Sequence, residues 1–133
     1  MNIDKIYEML YWDNDEKVQE RGIEIASKIK YFDCFIMPYY GNKTNGIWEN
    51  CALIISKKTD DELRPYRWKL LEWIEDMNWP GADIIYDRLL KYNDKKELLS
   101  LIDSKISSLL KPDDPEITVL VLNDLKAKIL SDC

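Results

Sequence analysis

Apolar residues recur at three- and four-residue spacing along almost the whole chain, and the one strand-like run finds no second run to pair with. That pattern predicts an all-α fold, because a helix satisfies its backbone within one segment whereas a sheet needs a partner strand. The turn-forming material agrees. Four Gly and five Pro in 133 residues are too few for the turn every ~8–12 residues that a many-stranded sandwich or barrel requires. With 46% hydrophobic and 33% charged residues, the chain can bury a core, and its length corresponds to one domain, residues 1–133.

Ile3, Ile6 and Leu10 mark a short first helix, broken near Trp12. Asp13 is the expected cap of a second, with Val18, Gly22, Ile25 and Ile29 on one face and Glu16, Glu20 and Glu24 elsewhere. Residues 32–40 read as a short aromatic helix or turn ended by Pro38, and Gly41 to Gly46 as a loop. Trp48, Cys51, Ala52 and Ile55 face the core from a helix running to Lys58. Asp60 is the expected cap of a helix over 61–77, with Leu63, Tyr66, Leu70, Ile74 and Met77 as its stripe and Trp73 on the flank. Pro65 lies close enough to its first turn to be tolerated. After Asn78-Trp79-Pro80-Gly81, Pro80 is expected as the first helical residue of an element carrying Ala82, Ile85 and Leu89 to about Tyr92. Asn93-Asp94 opens a helix with Leu98, Ile102, Ile106 and Leu109 on one face, stopped at Pro112-Asp113-Asp114-Pro115.

The last segment contains Ile117-Thr-Val-Leu-Val-Leu122, a strand on propensity alone, but Leu125 and Ile129 continue it at helical spacing. It reads as a helix, apolar nearly all round and therefore buried. About seven helices result. Pair starts near Asp13, Gly46, Pro80 and Pro115 stand 33, 34 and 35 residues apart, which fits a short α-solenoid of antiparallel helix pairs. A globular bundle is the competing architecture.

The chain contains no histidine, so it has no imidazole base, no Ser-His-Asp triad and no His-ligated zinc. Cys34, Cys51 and Cys133 are an odd set without CxxC spacing, which disfavours a disulfide framework or a zinc site, and Cys34 and Cys51, among apolar neighbours, are expected as small buried hydrophobes. No calcium-type Asp-rich loop, phosphate loop or nucleophile elbow occurs, so no metal, cofactor or catalytic residue is expected. Nineteen basic against 25 acidic residues give a net charge of −6, which disfavours nucleic acid and suits a basic partner. Met-Asn-Ile-Asp-Lys does not resemble a secretion signal and no apolar run reaches ~20 residues, so a cytoplasmic protein with no membrane span is expected.

Most carboxylates lie at helix starts or off the apolar stripes, where they cap and solubilise. Glu72 and Asp76 form an i,i+4 acidic pair that could hold a cation or face a basic partner, with Glu75 beside them. Trp68 lies about 140° around the helix from Leu63, away from the core stripe and near Glu72 and Glu75. It reads either as an interface anchor or as packing against a neighbouring helix. Trp79 is expected to plug its turn, and Trp12, Trp48 and Trp73 to be core. The Lys57-Lys58 pair is expected to offset the dipole of its own helix end.

Trp48-Glu-Asn-Cys-Ala52 and Leu70-Leu-Glu-Trp-Ile-Glu-Asp-Met-Asn-Trp-Pro-Gly-Ala82 resemble a family of small bacterial HEAT-like helical proteins, known as immunity proteins or domains of unknown function. The resemblance covers about residues 13–92 well and the remainder by pattern only. It implies a short HEAT-like α-solenoid and the neutralisation of a cognate toxin of a contact-dependent inhibition or other polymorphic toxin system. No catalytic residue is carried over with it. The charge adds that the toxin could be a basic, nuclease-like domain. Trp68, Glu72, Glu75 and Asp76 are then the expected partner contacts. The alternative expectation is a general protein- or peptide-docking α-solenoid without a toxin partner; a carboxylate enzyme would need two inward carboxylates in a pocket.

Overall fold

The computed structural model describes residues 2–109 and 117–131, with side chains in the last helix from Val119 onward. Pro112 to Glu116 and Cys133 lie outside the described residues, so the expectations placed on them have no structural counterpart here. The described residues are all-α, with no strand among them. The helices are α1 (Ile3–Leu10), α2 (Glu16–Ser27), α3 (Asn45–Ser56), α4 (Asp60–Leu63), α5 (Arg67–Trp73), α6 (Ala82–Leu90), α7 (Lys95–Leu109) and α8 (Ile117–Ser131). Short 3-10 turns at Asp33–Phe35, Gly41–Lys43 and Arg64–Tyr66 join them.

Helix α3 is the centre of the molecule, packed against α1 and α2 on one side and α6 on the other, and α8 packs on α6. The helices α1, α3, α6 and α8 thus form one continuous row. Beside it α2 pairs with α1, while α5 and α7 touch each other and α8 closes on α7. The repeat starts at Gly46 and Pro80 each introduce a member of the main row, while the one at Pro115 lies outside the described residues. Asp13 does not introduce one: it precedes α2, and the row begins one helix earlier at Ile3. Helix α1 is only eight residues long, which hides its place in the repeat.

Helix starts differ from expectation where a neighbouring residue caps better. Helix α2 begins after Asp15, while the Asn14 amide donates to the Glu8 and Met9 carbonyls at the end of α1. Its buried face is Gly22, Ile23 and Ala26, with Val18 in solvent. Part of the expected Gly41–Gly46 loop is already helical, since α3 starts at Asn45. Gly46 is there because a Cβ would stand 2.3 Å from the Tyr11 ring.

The expected single helix over 61–77 is divided. Thr59, not Asp60, is its cap, in a reciprocal capping box with Glu62, so the helix starts a residue early and Pro65 falls beyond the first turn. A proline there removes a backbone donor and crowds the preceding turn. The chain passes through a 3-10 turn and resumes as α5, which ends at Trp73. Among the described residues eight α-helical segments therefore stand where about seven were expected for the chain, the extra one arising from this division. Pro80 is not a first helical residue either. Gly81, at φ +84°, caps α6, and a Cβ there would meet the Ala52 Cβ at 2.7 Å and the Trp48 carbonyl oxygen at 2.9 Å.

Candidate functional site

The four expected contacts sit at and just beyond α5, and the structure brings three of them together through a residue the sequence pattern did not single out. Trp68, 37% exposed, lies over the Lys105 ammonium of α7, with Nζ 4.3 Å from the ring centroid. The same ammonium donates to the Glu72 carboxylate at 3.1 Å and stands 3.8 Å from Glu75. Lys105 is only 4% exposed. A buried ammonium needs charged or π partners to offset lost hydration, and this one has an aromatic face and two carboxylates.

Asp76 is elsewhere. Because α5 stops at Trp73, the expected i,i+4 pairing of Glu72 with Asp76 does not form. The Asp76 carboxylate instead accepts from the Asn78 amide at 2.9 Å and shapes the turn that follows. The acidic pair that meets a cation is Glu72 with Glu75. Burial raises the Glu75 carboxyl above its usual range, aided by Glu72 and opposed by Lys105. Its Oε1 is buried without a hydrogen-bond partner.

The inner side of α5 has another chemistry. Trp73 is fully buried and its indole N–H donates to the Pro80 carbonyl at 3.1 Å. Trp48 meets both Trp73 and Trp79 edge to face, at 5.6 and 5.7 Å between ring centroids. The Leu-Glu-Trp and Asn-Trp-Pro-Gly-Ala motifs therefore build one aromatic clasp between α3, α5 and the turn before α6. Trp79 covers that clasp from outside. Trp12 is not core as expected; it lies 54% exposed beside the turn after α1. Met77, expected on the buried stripe, is also exposed because the helix has already ended.

Two more lysine and carboxylate roles are structural. Lys58 donates to the Ser27 and Ile29 carbonyls and lies over the Phe32 ring, so it closes the end of α2 rather than of its own helix. Asp60 lines a polar hollow of about 610 Å³ with Arg64, Arg88 and Lys91. Burial works to raise its carboxyl, but the Asn93 amide and the Arg88 guanidinium, 2.6 Å away, prevail and hold it below its usual range. Cys51 is fully buried, and burial pushes its thiol far up; Cys34 is half-buried. Among the described residues no group of three or more Cys, Asp or Glu is arranged to hold a metal ion. No helix among them is long and apolar enough to cross a membrane.

The family described as "Domain of unknown function (DUF5071)" matches residues 49–131. The chain belongs to that family. The DUF5071 match begins inside α3, one residue after Trp48, and runs to the end of α8, so it contains Trp73 and Trp79 of the aromatic clasp and the whole Trp68–Lys105 cluster. Its span differs from the resemblance read in the sequence. It leaves out α1 and α2 and takes in the C-terminal helices. No curated protein and no solved structure gives a significant match to this DUF5071 chain.

Lys105 is the functional-cluster residue that sequence reasoning missed. Its signal is positional: Leu98, Ile102 and Lys105 step by four and three along α7, which puts the lysine on the buried stripe.

Proposed function

We propose that this DUF5071 chain is an immunity protein, a cytoplasmic binding protein rather than an enzyme, that neutralises a cognate bacterial toxin. Its target is a basic, nuclease-like toxin domain, which it covers with the face carrying Trp68, Glu72 and Glu75, with Asp76 in the adjoining turn. The observation that carries the reading is Trp68, held half-exposed on a buried ammonium with the partly exposed Glu72 beside it. An aromatic with few remaining rotamers loses little entropy on binding, and a neighbouring carboxylate can meet a cation. The net charge of −6 would speed encounter with a basic surface.

Co-expression with the product of the adjacent toxin-like gene tests the proposal. A complex should copurify, and Trp68→Ala and Glu72→Lys should each weaken it by about tenfold or more. Absence of a complex, or a complex indifferent to both substitutions, would remove the support. A general docking α-solenoid without a toxin partner is the second reading, favoured by an apolar groove between α6 and α8.

A further inference from the structure

Helix α8 is apolar on more sides than the molecule covers. Val119, Leu122, Leu125 and Ile129 are buried, whereas Leu120 is 59% exposed and Val121 partly so. Leu120 and Val121 face Met77 and Tyr86 across a groove of about 370 Å³ between α6 and α8. The expectation of a substantially buried α8 is met by Val119, Leu122, Leu125 and Ile129, and among the described residues Leu120 stands outside that buried face.

The rim of the groove is acidic. Asp83 and Asp87 stand one turn apart on α6, both exposed, and no lysine or arginine among the described residues pairs with either within 4.0 Å. Asp124 on α8 accepts from the Tyr86 hydroxyl and meets Lys128 at 3.5 Å. Lys128 also lies 4.9 Å over the Tyr86 ring, so the one cation of the rim among the described residues is engaged within it. Three carboxylates against one ammonium leave a negative edge around an apolar floor.

We infer that this groove docks a basic amphipathic helix of another protein. The apolar side of that helix would lie on Leu120, Val121 and Met77, while its lysines or arginines meet Asp83 and Asp87. Charge complementarity selects the occupant. A second copy of this chain brings the same acidic rim and a net charge of −6, and an anionic membrane or nucleic acid is repelled for the same reason. The inference does not depend on the toxin reading, since Trp68 is no part of the groove.

The test uses the full chain and a fluorescein-labelled Leu/Lys peptide of about 18 residues, enough for about five helical turns. Anisotropy is measured against a scrambled peptide of the same composition and a Leu/Glu analogue. The amphipathic Leu/Lys peptide should bind at least about tenfold more tightly than either control. Leu120→Ser should weaken binding by about tenfold, as should Asp83→Lys combined with Asp87→Lys, with unchanged far-UV circular dichroism; Trp68→Ala should leave it unaltered. Equal binding of the scrambled peptide, or indifference to both groove variants, would overturn the inference. So would a dimer in sedimentation that becomes monomeric on Leu120→Ser, since a second copy would then be the occupant.

Discussion

Trp68 and Trp73 stand five residues apart in one short helix and illustrate two ways of placing an indole. Trp73 turns inward, loses all its exposure and satisfies its N–H on the Pro80 carbonyl. Trp68 turns outward, keeps an exposed edge and uses its face to cover a buried lysine from α7. The inner residue is held by packing and a neutral hydrogen bond, which are indifferent to pH and salt. The outer one belongs to a charged cluster that includes Glu75, whose carboxyl burial raises above its usual range. A single helix thus separates the part of the molecule that specifies its shape from the part available to a partner.

Removing Trp73 should break the inner side. Trp73→Ala deletes a fully buried side chain and orphans the Pro80 carbonyl, and should cost about 3–5 kcal/mol in urea unfolding. Gly81→Ala tests the same clasp through the backbone: a positive φ and a 2.7 Å approach to Ala52 should cost about 2–3 kcal/mol. Both should leave protein that, where it still folds, unfolds at lower denaturant.

Lys105→Met addresses the outer side. It leaves Glu75 partly buried without its cation, and should destabilise by about 1–3 kcal/mol at neutral pH and by less in acid, where the carboxyl is protonated. Trp68→Ala should cost only about 1 kcal/mol, the order of a partly desolvated cation–π contact. A loss for Trp68→Ala as large as for Trp73→Ala would erase the distinction between the two faces.

The smallest effect is a slope. The Glu75 carboxyl titrates above its ordinary 4.5 in the folded chain, so the folded state holds a proton that the unfolded state releases first. Stability contributed by this group is therefore full below 4.5 and declines as pH rises through the folded value. Glu75→Gln should accordingly gain on the wild type in urea midpoint between mildly acidic and neutral pH. A gain in the opposite direction would mean that Lys105 dominates burial at this carboxyl.

Much of the fold is legible in the sequence because helical periodicity is a local property. The stripes Cys51–Ala52–Ile55, Leu98–Ile102 and Leu122–Leu125–Ile129 all lie in the core where the spacing puts them. Boundaries are less legible, since capping depends on competition between adjacent residues. Thr59 prevails over Asp60 because Glu62 completes its capping box, and Pro65, lacking the N–H that the helix would use there, falls where the chain passes into a 3-10 turn. The candidate face is legible in part. Trp68 and Glu72 are readable as an outer face, whereas Asp76 loses its place when the helix ends, and Lys105 comes from 33 residues further along.

Periodicity, the absence of histidine and the excess of carboxylates by themselves determine an all-α chain with an acidic surface and no imidazole chemistry. These are sums over residues or repeats of local spacing, and they need no knowledge of which helix meets which. Tertiary structure alone decided that Lys105 lies under Trp68, that Lys58 closes a helix other than its own, and that Leu120 of α8 is exposed among the described residues. Each of those depends on the environment that distant segments create. A lysine is buried only where another helix supplies an aromatic face and carboxylates, and an apolar side chain stays exposed only where no further helix arrives to cover it.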